Sequence, residues 1–177
     1  LVLAGYSQGA MAIHQAELKL ERSGNEDALD AIGGTLLLGD GDRTPNSGAK
    51  LIGGAPAGGE GIRVYLHGVA PRDVVEPEIT VEICAIDDIV CDFSLHRSVA
   101  WYRHAAKVHT GYGDRVGRSY LDRAVDWLTG QMGFEPSLRV TRGSARSSDR
   151  PPTLNSGSDL AVRPKLLSGW TGDGSQL

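Results

Sequence analysis

The segment Gly5-Tyr6-Ser7-Gln8-Gly9 has the residue types and spacing G-x-S-x-G, which suit nucleophilic chemistry. A serine nucleophile must stand on a tight turn at the end of a strand. Small residues on either side let strand and helix approach closely, and the following helix aims its amide ends and positive dipole at the site. The flanking sequence fits. Residues 1–4 (LVLA) are a short apolar run of the kind found in a buried strand, and residues 8–20 follow a helical pattern. In that helix Met11, Ala12, Gln15, Ala16 and Leu20 can share one face.

A serine hydroxyl is inert at neutral pH without a base, and the base needs an orienting acid. On an α/β scaffold these follow in the order Ser, Asp or Glu, His. The chain has five histidines, at positions 14, 67, 96, 104 and 109. His14 lies in the helix after the elbow and is expected to point away from the site. The segment CAIDDIVC (residues 84–91) offers Asp87 and Asp88 as the acid, and LGDGD offers Asp40 and Asp42 at an early position. Cys84 and Cys91 are the only cysteines, and they bracket the later pair. If bonded, they close a small loop that presents the acid, worth roughly 2–3 kcal/mol in the chain-entropy picture.

The elements that must position these groups alternate along the chain. Residues 35–40 (TLLLGD) and 79–86 (ITVEICAI) read as strands. Residues 119–132 read as an amphipathic helix with Leu121, Ala124, Val125, Leu128 and Met132 on one face. The Gly- and Pro-rich stretch from Gly41 to Gly61 reads as a long surface loop. This alternation indicates an α/β layered fold. From about Ser137 the chain turns Ser-, Arg-, Gly- and Pro-rich, so the expected division is a domain over residues 1–136 and a disordered tail or linker over 137–177. A net charge of −4 argues against a nucleic-acid partner, and no apolar run is long enough for a membrane span.

Taken together, these motifs resemble the cutinase family of serine esterases. GYSQGA (residues 5–10) resembles its nucleophile motif, and GTLLLGD (34–40) its next core strand. CAIDDIVCD (84–92) resembles its C-x-x-G-D-x-V-C acid loop, and HTGYG (109–113) its H-x-x-Y segment. The resemblance runs over roughly residues 1–132. It implies a three-layer α/β-hydrolase fold around a mostly parallel sheet. It implies Ser7 as nucleophile, Asp88 as acid, His109 as base, the Gln8 backbone N–H as oxyanion donor and a Cys84–Cys91 disulfide. No metal or cofactor is implied. Asp87 stands where the family has Gly, and the stretch between Cys91 and His109 is longer than in compact members; His104 within it is a second candidate base.

The implied partner is a carboxylic ester: a cutin-like polyester, or esters and lipids with short to medium acyl chains. Ile86, Ile89, Val90 and Phe93 are candidate walls for the acyl group. Family and disulfide imply a secreted or cell-surface location. Because the chain begins on the elbow strand, the reading expects the first strands, a signal peptide and the second oxyanion donor to be missing. The 177 residues alone are then expected to be nearly inactive. Two rivals are a non-catalytic surface or binding protein on the same scaffold, and another serine hydrolase such as a lipase or thioesterase. The ordered triad residues argue against the first, and the cysteine-bracketed acid loop against both.

Overall fold

The computed structural model describes residues 1–68, 72–95 and 97–133. His96 and the whole segment expected to form a tail, Trp170 included, lie outside the described residues.

Four parallel strands form the sheet in the order β1-β2-β4-β3. They are β1 (Val2–Tyr6), β2 (Gly34–Leu38), β3 (Lys50–Ile52) and β4 (Thr80–Ile83). The principal helices are α1 (Gln8–Arg22), α2 (Glu26–Asp30), α3 (Arg63–His67), α4 (Val99–Thr110) and α5 (Arg115–Gln131). Strand β2 is buried along its whole length, and its three leucines divide by the two-residue period of a strand. Leu37 packs with Ala10 of α1, while Leu36 and Leu38 pack with Ala124 and Leu128 of α5. Helix layers therefore cover both faces of the sheet.

Several local expectations are corrected. Strand β1 is not buried on both faces: it alternates between exposed and half-buried positions, with Val2 46% and Tyr6 44% exposed. Among the described residues it pairs with β2 only. In α1 the buried residues are Ala10, His14, Glu17 and Leu18, whereas Ala12 and Ala16 face solvent. Apolar spacing missed this face because two of its members are polar and find partners inside: Glu17 accepts from Thr35 Oγ1 at 2.5 Å, and His14 pairs with Asp40. In α5, Val125 is 52% exposed, and Trp127 instead packs against the core.

The expected surface loop after β2 contains β3 and begins by turning inward. Asp40, Asp42, Arg43 and Thr44 are buried, and Arg43 donates to the carbonyls of Cys91 (3.0 Å) and Pro56. Its guanidinium thus ties the loop after β2 to the cysteine loop after β4. The stretch between Cys91 and His109 contains α4, started by Ser98, whose Oγ accepts from Trp101 N at 3.1 Å.

Candidate active site

Ser7 joins the end of β1 to the start of α1. Its backbone has φ 55° and ψ −119°, in the left-handed half of conformational space that non-glycine residues avoid at a cost on the order of 1–3 kcal/mol. Surrounding packing supports this turn. The Ser7 N–H donates to Leu38 O at 2.7 Å, and the Ser7 carbonyl accepts from Met11 N at 3.1 Å. The strand and helix come so close that a Cβ on Gly5 would sit 2.6 Å from the Gly9 carbonyl group. Gly9 itself has open space where a Cβ would be, so Gly5 is the glycine the contact requires.

Ser7 Oγ lies 2.8 Å from His109 Nε2. His109, near the carboxyl end of α4, presents Nδ1 to both carboxylate oxygens of Asp88 at 3.0 Å each. Only a donor suits that position, so the proton sits on Nδ1 and leaves Nε2 free to accept from the serine hydroxyl. Asp88 is fully buried and receives three further donors: Tyr112 OH at 2.7 Å, Val90 N at 2.7 Å and Cys91 N at 3.2 Å. Burial pushes its carboxyl pKa up, but the hydrogen bonds from His109, Tyr112 and Val90 outweigh it. The net shift is downward, and the group stays ionised. Gln8 is the first residue of α1, so its N–H has no acceptor within the helix.

The loop carrying Asp88 is closed by a Cys84–Cys91 disulfide with a Cα–Cα separation of 5.9 Å. Asp87 does not contact His109. Its backbone takes φ 61°, the conformation glycine adopts most readily, and its carboxylate accepts from Trp101 Nε1 at 2.9 Å. His104 is exposed on α4, and His67 is exposed at the end of α3. His14 is buried beneath the sheet, with Nδ1 2.7 Å from Asp40 Oδ2 and Nε2 3.0 Å from Arg72 O. Burial opposes a charge on this ring, but the hydrogen bond and charge of Asp40 outweigh it and raise the imidazole pKa.

His14, Asp40 and Asp42 bring potential metal-ligand atoms within 4.8 Å of one another. Their charges are already matched, by the His14–Asp40 pair and by Arg63 Nη1, 2.8 Å from Asp42 Oδ2. The cluster reads as an internal ion network.

Of the residues named as an acyl wall, Ile86 is 59% exposed and lines a cleft of about 410 Å³ with Val108, Tyr112 and Val116. Phe93 does not line that cleft and packs on Tyr65, ring centroids 4.7 Å apart. Three contacts to the acid and base escaped the sequence reading. They are the Tyr112 hydroxyl on Asp88, the Tyr6 ring against His109, and Gly39, where a Cβ would stand 2.9 Å from His109 Cε1. The tyrosines were visible as the variable residue of G-x-S-x-G and the last residue of H-x-x-Y.

The Cutinase family model matches residues 1–132. The chain belongs to the cutinase family. The parallel sheet with helices on both faces fits the family's α/β-hydrolase architecture. Among solved structures, one similar chain is described as a novel cutinase-like protein from Cryptococcus sp., with 23% sequence identity and a TM-score of 0.48. The alignment covers 75% of this chain and 60% of that one, so the cutinase-family chain described here spans little more than half of that protein. No curated relative matches. The disulfide fits the extracellular setting typical of cutinases, and among the described residues no helix is long and apolar enough to cross a membrane.

Proposed function

We propose that the protein is a secreted or cell-surface serine esterase that hydrolyses carboxylic esters through an acyl-enzyme, with Ser7, His109 and Asp88 as its triad. The observation that carries this reading is the unbroken hydrogen-bonded path from Ser7 Oγ to His109 (2.8 Å) and from His109 to the buried Asp88 (3.0 Å).

In this reading Ser7 Oγ attacks the ester carbonyl carbon while His109 Nε2 takes the hydroxyl proton. Asp88, ionised and fixed by four donors, holds the imidazole in the productive tautomer and offsets the charge it gains. Negative charge builds on the carbonyl oxygen, where the Gln8 N–H at the amino end of α1 donates to it; a contact of this kind is worth about 3–4 kcal/mol. His109 returns its proton to the departing alkoxide. A water molecule, deprotonated by the same nitrogen, then cleaves the acyl-serine. Membership of the cutinase family points to short and medium acyl chains and the exposed esters of a polyester or lipid as substrates.

The test is hydrolysis of a short-chain nitrophenyl ester by the full-length protein and its Ser7→Ala and Asp88→Asn variants. Turnover that Ser7→Ala abolishes, and that Asp88→Asn reduces by ~10⁴ through the wrong imidazole tautomer, supports the reading. Turnover unaffected by Ser7→Ala refutes it.

A further inference from the structure

The residue before the nucleophile makes two separate contacts with the histidine. The Tyr6 ring stacks on the His109 imidazole with centroids 5.1 Å apart and planes inclined by 23°. Its hydroxyl donates to the backbone carbonyl of His109 at 2.7 Å, across 103 residues of sequence. One side chain on β1 thus grips both the ring and the backbone of a residue at the far end of α4. Since β1 leads directly into Ser7, the serine–histidine separation is set by a direct strut between nucleophile strand and base helix. Tyr112 stands edge-on to both rings, 6.2 Å from Tyr6 and 6.4 Å from His109, which completes an aromatic enclosure.

We propose that Tyr6 is a positioning residue for His109, its ring face supporting the imidazolium formed during the reaction and its hydroxyl tying β1 to the carboxyl end of α4. This rests on the reading of His109 as the general base. An aromatic face within about 6 Å of a cation attracts it through the ring quadrupole. The imidazole becomes that cation when it accepts the serine proton. The tyrosine face therefore favours the charged state over the neutral one, which is what a transition state with a developing imidazolium requires. The ionisable groups otherwise facing the imidazole are Asp88 from the acid loop and Tyr112 from the turn after α4. Gly39, at the end of β2, presents no side chain to it. Replacing Tyr6 leaves all of these in place. Because Tyr6 is 44% exposed, its substitution opens no cavity in the core.

The two contacts separate experimentally. The rate at which a fluorophosphonate labels Ser7 in the full-length protein is measured from about pH 5 to 9 for wild type, Tyr6→Phe, Tyr6→Leu and Tyr6→Trp. Tyr6→Phe keeps the ring and loses the strut, so labelling slows about three- to tenfold while the acid limb of the pH profile stays in place. Tyr6→Leu loses both contacts. Its protonated imidazole is less favoured, so the acid limb moves about half a pH unit to lower pH and labelling slows further. Tyr6→Trp restores the position of the limb. An unmoved limb in Tyr6→Leu overturns the role of the ring, and full-rate labelling of Tyr6→Phe overturns that of the hydroxyl. An unlabelled Ser7 in the wild type defeats the reading of the site and this proposal together, whereas normal labelling of Tyr6→Leu defeats the proposal alone.

Discussion

Tyr112→Phe removes a single oxygen from the support of the acid. That oxygen donates to Asp88 Oδ2 at 2.7 Å and accepts from Ala85 N at 2.9 Å, and the tyrosine is only 5% exposed. Phenylalanine keeps the ring in the core cluster with Leu36, Val81 and Leu128, so no cavity term enters. The loss is then one hydrogen bond to a buried charge, about 1.5–3 kcal/mol, with a further ~1 kcal/mol for the orphaned amide. A total near 3 kcal/mol is a large share of the 5–15 kcal/mol that typically stabilises a domain. With a urea m-value of about 1.5 kcal/mol/M, the unfolding midpoint falls by about 2 M. The pH dependence changes as well. Asp88 titrates below the ordinary carboxylate range, so its contribution to stability is present above that range and is lost as pH falls through its folded value. Without the Tyr112 donor that folded value rises, and acid unfolding of the variant begins at higher pH. Urea unfolding followed by circular dichroism at neutral and acid pH reads both effects. A midpoint within about 0.3 M of wild type, with an unchanged acid transition, refutes the view that this hydroxyl holds the acid.

Three further outcomes follow from the same packing. Replacing both Cys84 and Cys91 by serine, which opens a loop of sequence separation 7, lowers stability by about 2.5 kcal/mol in the chain-entropy picture; thiol titration of the unreduced native protein finds no free thiol at either position. Gly39→Ala places a methyl 2.9 Å from His109 Cε1 on a backbone with φ 62°, and kcat/KM for a nitrophenyl ester falls at least ~10-fold with the displaced base. Burial raises the Glu82 carboxyl to about 7, against the opposing Ser47 hydrogen bond. The folded chain thus holds a proton that the unfolded chain releases between pH ~4.5 and ~7. That contribution to stability, on the order of 3 kcal/mol, declines as pH rises through this window, and Glu82→Gln flattens the decline in melting temperature.

The residues of the proposed triad were readable because each sits in a short motif whose spacing survives folding. The elbow needs a glycine at position 5, where strand meets helix, and the cysteine pair brackets its acid within eight residues. Asp87 and Asp88 could not be separated from composition alone. What separates them is backbone: Asp87 takes the left-handed turn and is held by Trp101, which leaves Asp88 to face inward. The elements that were missed share one physical cause, the burial of polar residues. Asp42 and Arg43 read as surface loop because they are charged, yet each is held by distant partners that no local pattern reveals: Asp42 accepts from Gln15 and Arg63, and Arg43 donates to the carbonyls of Cys91 and Pro56. The same holds for His14 and Glu17 on the inner face of α1. Helix α4 escaped notice because its histidines and arginine masked the few residues it buries, Ala105 and His109.

The central claim is that Ser7 is a nucleophile armed by His109, and trapping the acyl group tests it most directly. The full-length protein is mixed with a nitrophenyl ester, quenched in acid within the first turnover, and digested for mass spectrometry. The account predicts one added acyl mass on the peptide containing Ser7, absent in Ser7→Ala and strongly reduced in His109→Ala. An acyl group on another residue, or ester cleavage with Ser7 unmodified at every quench time, contradicts it.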